Sequence, residues 1–306
     1  MKKQMSGSDG CYVPPSIGRI GAPYHDENNN RVKYFCLDVQ ETGEDLDAMV
    51  QTALCFMEET GATRMTSRFF VRERMEHILE EARIPLSDNY AGLDLLFLGK
   101  NTQERQDDQA TKYLEKKMIA EVLAAKIHPH EHISNDYSVQ RLTCVDEKDE
   151  RALVALYQEA FTTYTTSLNP EAIRAMVEHS IVYAVREKRT GDIVSIVVAE
   201  MSHMETSHRE FGICELSEMA TKEEHRGKGL VTYATQLLIE EIKDDVDMIY
   251  AEARACHRAI NQSFRNLGFH YGGRLEKHCI LSGAHEVEEQ GPYENLNVWY
   301  VQGRAK

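Results

Sequence analysis

The sequence predicts an α/β protein: a mixed sheet flanked by helices, preceded by a smaller α/β region. Three observations lead there. Apolar residues switch between period two and period 3.6 along the chain. The pattern starts afresh after about residue 132. In the second half some strands follow each other through hairpin-length turns and others through helices, so antiparallel and parallel pairs are both expected.

Residues 1–30 read as an irregular lead-in, with Pro14-Pro15, Pro23 and the run Asn28-Asn29-Asn30 and little periodicity. Residues 31–132 read as an N-terminal α/β domain. Val32 to Val39 alternates as a strand. Glu44 to Glu59 places Leu46, Met49, Val50, Ala53, Leu54 and Met57 at helical spacing, and Gly61 closes that helix. Thr63 to Phe70 is expected as a strand. Val71 to Arg83 is expected as a helix, with Met75, Ile78 and Leu79 on one face. Leu93 to Leu98 is a buried strand and Asp107 to Lys126 a long helix. The stretch His128-Pro129-His130-Glu131-His132 offers metal-binding side chains, but Pro129 breaks any helix that would align them. No second ligand cluster accompanies it, so a linker is the expected role.

Residues 133–306 form the second expected domain. Tyr137 to Thr143 is a strand, Asp146 to Thr163 a helix and Pro170 to Glu178 a shorter helix. Ile181 to Arg186 and Ile193 to Met201 form a hairpin about Thr190-Gly191-Asp192. A strand at Ile213 to Ala220 runs through a glycine-rich turn into a helix at Gly229 to Lys243. Met248 to Ala253 is a strand and Arg258 to Leu267 a helix. A last strand pair ends at Val298-Trp299-Tyr300-Val301.

The chain of 306 residues carries 35 basic and 50 acidic side chains, a net charge of −15. That balance argues against a nucleic-acid binder, which needs a basic face. It is compatible with a cationic small substrate. No apolar run reaches the length of a membrane span, and no apolar segment follows the charged N-terminus as a secretory signal would require. Seven scattered cysteines without a Cys-x-x-Cys pair fit a reducing cytoplasm.

The segment that speaks of chemistry is Met219-Ala220-Thr221-Lys222-Glu223-Glu224-His225-Arg226-Gly227-Lys228-Gly229-Leu230-Val231. A strand ends, the chain turns through two glycines and a helix begins. Unpaired N–H groups at such a helix start converge with the positive end of its dipole. The glycines admit a ligand close to the backbone, and Arg226 and Lys228 add charge. These residues suit a diphosphate. The spacing is neither that of a Walker A loop nor of the three-glycine dinucleotide fingerprint. The plain alternative is a tight surface turn.

Together with the order of elements, this segment resembles the GCN5-related N-acetyltransferase superfamily. Arg226-x-x-Gly229-x-Val231 is similar to its acetyl-CoA signature, with Val231 where Gly or Ala is usual. Asn261 to Phe269, ending in Leu267-Gly268-Phe269, resembles its second coenzyme segment. Glu215-Leu216-Ser217-Glu218, Ala253-Arg254-Ala255, His270-Tyr271-Gly272-Gly273 and Tyr293 to Tyr300 narrow the resemblance to the beta-lysine N-acetyltransferases. So do the Ala82 to Pro85 and Tyr90 to Gly92 stretches of the first half. Two departures stand out: Glu276-Lys277-His278 replaces a pair of asparagines, and an acidic stretch, Ala284 to Gly291, is inserted.

The resemblance implies acetyl-CoA as cosubstrate and acetylation of the terminal amine of a small cationic diamino acid, beta-lysine, to give a compatible solute. It implies a coenzyme segment of Met219, Ala220, Thr221, Arg226, Gly227, Lys228, Gly229, Leu230 and Val231, with a backbone N–H near Met219 and Ala220 polarising the thioester. Asn261 is then expected to hold the pantetheine amide. Glu218 is expected to accept the amine's proton and Glu215 to anchor the amine. The other role for these carboxylates is surface charge or a structural pairing with Arg254. Strand parity puts the two on opposite faces unless a bulge intervenes. Glu294 and Asn297 are expected either to hold the ends of an amino-acid substrate or to serve strand solubility. Phe264 occupies the place where many members carry a proton-donating tyrosine, leaving Cys256, His257 or Tyr271 as substitutes. Other amines, a non-catalytic acyl-CoA sensor and a homodimer remain open at this point.

Overall fold

The computed structural model describes residues 21–86, 92–128, 132–163, 169–205, 210–283 and 292–303. In the first half, strand β1 (Tyr24–Asp26) leads into β2 (Arg31–Gln40), helix α1 (Gly43–Thr60), β3 (Arg64–Arg72), β4 (Glu80–Pro85), β5 (Leu93–Asn101) and α2 (Gln109–Ala124). The second half runs β6 (Tyr137–Leu142), α3 (Glu147–Ala160), β7 (Phe161–Thr163), α4 (Pro170–His179), β8 (Ile181–Glu187), β9 (Ile193–Glu205) and β10 (Glu210–Thr221). It continues with α5 (Leu230–Ile242), β11 (Met248–Arg254), α6 (Arg258–Asn266), β12 (His270–Ile280), β13 (Ser282–Gly283) and β14 (Tyr293–Gln302).

Twelve strands form one mixed sheet in the order β1-β2-β3-β5-β4-β12-β14-β11-β10-β9-β8-β6. Two pairs are parallel, β2 with β3 and β10 with β11. Each is joined by a crossover helix, as parallel pairing requires. The halves meet where β4 pairs with β12 at Gly273↔Ala82. A Cβ on Gly273 would stand 2.3 Å from the Glu81 carbonyl oxygen, and its φ is +143°. Only glycine permits this approach.

The sheet folds over, so both halves share a core: Phe35, Phe70 and Phe97 pack with Phe211, Tyr250 and Val298. Phe70 meets Phe211 edge-on at 5.2 Å. Helices α2, α5 and α6 cover the opposite face of the second half through Val122, Leu230, Leu238 and Phe264. Helices α3 and α4 cover its far end, and α1 covers the outer face of the first half.

Three expectations are corrected. Residues 71–83 are not a helix: β3 runs on to Arg72, and β4 begins at Glu80. Met75 and Leu79 do pack inward, which made the helical spacing, but Ile78 is 96 % exposed and Arg74 has φ +66°. The lead-in expected up to Asn30 already pairs with the sheet from Tyr24, and Arg31 is fixed by Asp26 at 2.8 Å. The helix expected to reach Thr163 stops at Ala160, and β7 follows.

Candidate active site

The parallel strands β10 and β11 pair from Ile213↔Met248 to Leu216↔Ala251. Beyond that, β10 stays with β9 (Ala220↔Ile196, Thr221↔Ser195), while β11 stays with β14 as far as Arg254↔Leu296. The two strands therefore part at their C-terminal ends and leave a gap, the usual place for a ligand in an α/β sheet. A bulge drives the parting: between Ser217 and Ala220 the register with β9 shifts, and Glu218 takes φ +53°. Neighbours fix the bulge. The Tyr157 hydroxyl donates to the Glu218 carbonyl at 2.8 Å, and the Ser195 hydroxyl to the Ala220 carbonyl at 3.1 Å. Ser217 donates to Glu200 at 2.7 Å.

Because α5 follows β10, its N-terminus lies at the gap. A 3-10 turn (Glu223–His225) and Arg226, whose Nε donates to the Thr221 carbonyl at 3.1 Å, lead into it. Tyr137 braces the turn through contacts with His225 Nδ1 at 3.0 Å and Lys228 Nζ at 2.9 Å. Gly229 is the N-cap, at φ +70°. No side chain caps this helix and no acidic residue occupies its first turn. By contrast α1, α2, α3 and α4 are capped by Thr42, Asp108, Asp146 and Asn169, while α6 shares the uncapped start of α5. An uncapped start leaves backbone donors available and adds the dipole's positive end. A side chain at Gly227 (φ +74°) would meet nothing within 4 Å, so the backbone here faces open space. The diphosphate of a coenzyme fits these features. Val231, the departure from the family signature, turns its side chain into the core under α5.

The bulge also decides the two carboxylates. Glu215 lies before it and is buried, facing the first half of the chain. It accepts a hydrogen bond from Tyr250, and Arg68 Nη1 stands 3.7 Å away. Burial, then Glu252, push the Glu215 carboxyl up to about 7, against the opposing pull of Arg68. Glu218 lies within the bulge and is partly exposed. Neither pairs with Arg254 among the ion pairs described; Arg254 bonds Glu294 at 3.0 Å.

Asn261 is wholly buried, and the fold fills all four hydrogen-bonding positions of its amide. Its nitrogen donates to the carbonyls of Arg254 (2.9 Å) and His257 (2.7 Å). Its oxygen accepts from Asn297 (2.9 Å) and Trp299 (2.8 Å). The expected hold on a pantetheine amide has no amide atom left to make it; Asn261 clamps α6 to β11 and β14 instead. Asn297 belongs to the same clamp, and Glu294 to the pair with Arg254. Phe264 packs on Trp299 and Phe269 in the core. Tyr271 stacks edge-on against Trp299 at 5.7 Å, its hydroxyl pushed up to about 12 by burial. Cys256 Sγ approaches Glu294 at 3.4 Å, and His257 precedes α6 as its N-cap.

Sequence reading missed Tyr157, Arg68 and Tyr250. Arg68 left one signal, a charge inside an expected strand. The metal-type stretch around Pro129-His130-Glu131 and the acidic insertion Ala284 to Gly291 lie outside the described residues.

The gap, the bulge and the uncapped helix together make a candidate ligand site at the strand ends of the second half. No family model matches the chain. Over 154 residues it is 28 % identical to the beta-lysine N(6)-acetyltransferase of Methanosarcina mazei, covering 50 % of this chain and 52 % of that protein. Over 185 residues it is 25 % identical to the N-acetyltransferase YodP of Bacillus subtilis, covering 60 % and 62 %. The chain thus spans between half and two thirds of the length of these curated relatives. Among solved structures, the ribosomal-protein-S18-alanine N-acetyltransferase of Escherichia coli aligns with TM-score 0.42 at 13 % identity, covering 56 % of this chain and 96 % of that one. The ribosomal-protein-S5-alanine acetyltransferase of Vibrio fischeri aligns with TM-score 0.44 at 13 % identity, over the same shares.

Proposed function

We propose that this protein is an acetyl-CoA-dependent N-acetyltransferase acting on the terminal amine of a small cationic diamino acid, beta-lysine, in the cytoplasm. The observation that carries the proposal is the parting of β10 from β11 over the uncapped start of α5. The likeness to two curated N-acetyltransferases supports it. The division into an N-terminal domain (31–132) and a transferase domain (133–306) belongs to the same reading.

Bound acetyl-CoA supplies an acyl group as a thioester. The backbone from Arg226 to Val231 binds the diphosphate, and the Arg226 and Lys228 side chains add positive potential. Backbone N–H groups near Met219 and Ala220, at the end of the bulge, orient the thioester carbonyl. The acceptor amine arrives as an ammonium and must lose a proton before it attacks. The β10 carboxylates Glu215 and Glu218 flank the place where this happens. They also supply negative charge for a cationic substrate, as the net charge of −15 does at longer range. The thiolate is stable enough to leave with little help. Tyr271, protonated at neutral pH, packs edge-on against Trp299 of the Phe264–Trp299 stack.

The test is CoA release from acetyl-CoA against beta-lysine, alpha-lysine, ornithine, polyamines and a lysine peptide. Preference for beta-lysine supports the full proposal. Turnover of another amine keeps the reaction and moves the specificity. Acetyl-CoA binding without turnover of any amine favours a sensor, for which Phe264, lacking a phenol, is the supporting residue.

A further inference from the structure

Among the buried charges where the two halves meet, one cluster lies at the floor of the gap. Glu215 is the Cα partner of Tyr250, one residue before the last β10–β11 pair. Arg68 reaches it from β3 in the other half of the chain. Its guanidinium sits 5.3 Å from the Phe97 and Tyr250 ring centres. Nη1 donates to the Tyr250 oxygen at 2.7 Å and stands 3.7 Å from Glu215, while Nη2 bonds Glu252. The Tyr250 hydroxyl in turn donates to Glu215. Tyr250 therefore accepts from Arg68 and donates to Glu215, which fixes the direction of its one proton.

We infer that Arg68 is a positioning residue of the active site: acting through Tyr250, it holds Glu215 as the proton acceptor for the substrate ammonium. The inference rests on the acetyltransferase reading. The proton passes from the amine nitrogen to a Glu215 oxygen, directly or through one water, and leaves the nitrogen lone pair free to attack. The first half of the chain thereby takes part in the reaction through β3.

Other charges face Glu215. Glu200 lies opposite on β9 and Glu252 two residues beyond Tyr250 on β11, while the neutral Cys214 thiol beside it packs on the other face of β10. Lys33 faces it from β2, next to Arg31. His278 of β12 contacts Glu252 at 3.5 Å and is held neutral by burial and the surrounding cations. Burial and the two glutamates favour the protonated acid, and Arg68 and the Tyr250 hydrogen bond favour the carboxylate. Removing Arg68 must therefore raise the Glu215 midpoint, leaving less base at a given pH.

The experiment follows the Glu215 carboxyl by 13C NMR, with Glu215→Gln identifying its signal, alongside the pH dependence of kcat/KM on the amine that turns over. In the parent, the acidic limb of kcat/KM should fall with the Glu215 midpoint, near pH 7. Glu215→Gln should abolish the limb, and Glu218→Gln should retain it. Arg68→Met should move midpoint and limb together to higher pH by about one unit, a roughly tenfold loss below the limb. Arg68→Lys should return both most of the way. Tyr250→Phe, which keeps the ring, should shift both in the same direction and serves if Arg68→Met does not fold. A limb that survives Glu215→Gln but vanishes in Glu218→Gln overturns the inference and leaves the acetyltransferase reading standing. So does an activity loss in Arg68→Met equal at every pH, with the midpoint unmoved. Failure of the parent to acetylate any amine overturns both.

Discussion

Among the described residues, a parallel strand pair joined by a helix occurs twice, and the two copies end differently. In β2–α1–β3 the parallel strands pair from Arg31↔Arg64 to Cys36↔Phe69 and, past an irregularity, meet again at Gln40↔Val71 near their ends. Helix α1 opens with a complete capping box between Thr42 and Asp45. In β10–α5–β11 the pairing stops at Leu216↔Ala251, and α5 opens on a bare glycine. The first unit caps its own helix start and brings its strands together again near their ends; the second leaves its helix start uncapped and its strand ends apart. The candidate site thus rests on two omissions, a missing cap and missing strand pairing, on a unit the fold also builds more closed.

Four substitutions break or sharpen that comparison. The largest effect should come from Asn261→Leu, which removes the clamp along the β11 wall of the gap. Trp299 and Asn297 would lose their acceptor, at a cost of about 3 kcal/mol in denaturant unfolding. Next is Gly229→Asp, which places a carboxylate at the open end of α5. Acetyl-CoA binding by calorimetry should weaken about 30-fold, roughly 2 kcal/mol, through repulsion of the diphosphate. The left-handed backbone there should add about 1 kcal/mol of strain, so the chain should stay folded. Tyr157→Phe releases the Glu218 carbonyl from its hydrogen bond. We expect about 1 kcal/mol lost in stability and a lower kcat as the bulge loosens. The smallest effect belongs to Thr42→Ala in the closed unit: about 0.5–1 kcal/mol off stability, with acetyl-CoA affinity unchanged. Weaker coenzyme binding in this last variant would show the two units to be coupled, and the comparison between them would fail.

Much of this organisation was legible locally. The Arg226-Gly227-Lys228-Gly229 turn announces an open helix start because glycine placement and the absence of a capping side chain are local properties. Strand and helix succession in the second half follows from periodicity, and the Gly61 helix stop is observed at φ +66°. The expected helix over residues 71–83 failed for a physical reason: apolar spacing over three residues does not distinguish a helix from a loop that folds two of them inward. Asn261 failed differently. Whether an amide faces a ligand or its own fold depends on what surrounds it.

The sequence by itself determined the α/β class and the glycine turn into α5, and named the two candidate carboxylates, because backbone preference and hydrophobic period act over a few residues. Only the tertiary structure decided that β4 joins β12 through Gly273. It alone decided that Glu215 turns toward the first half, and that Arg68 meets it 147 positions away in the chain (215 − 68). Those outcomes depend on long-range pairing and on which charges are buried together, and neither leaves a local mark.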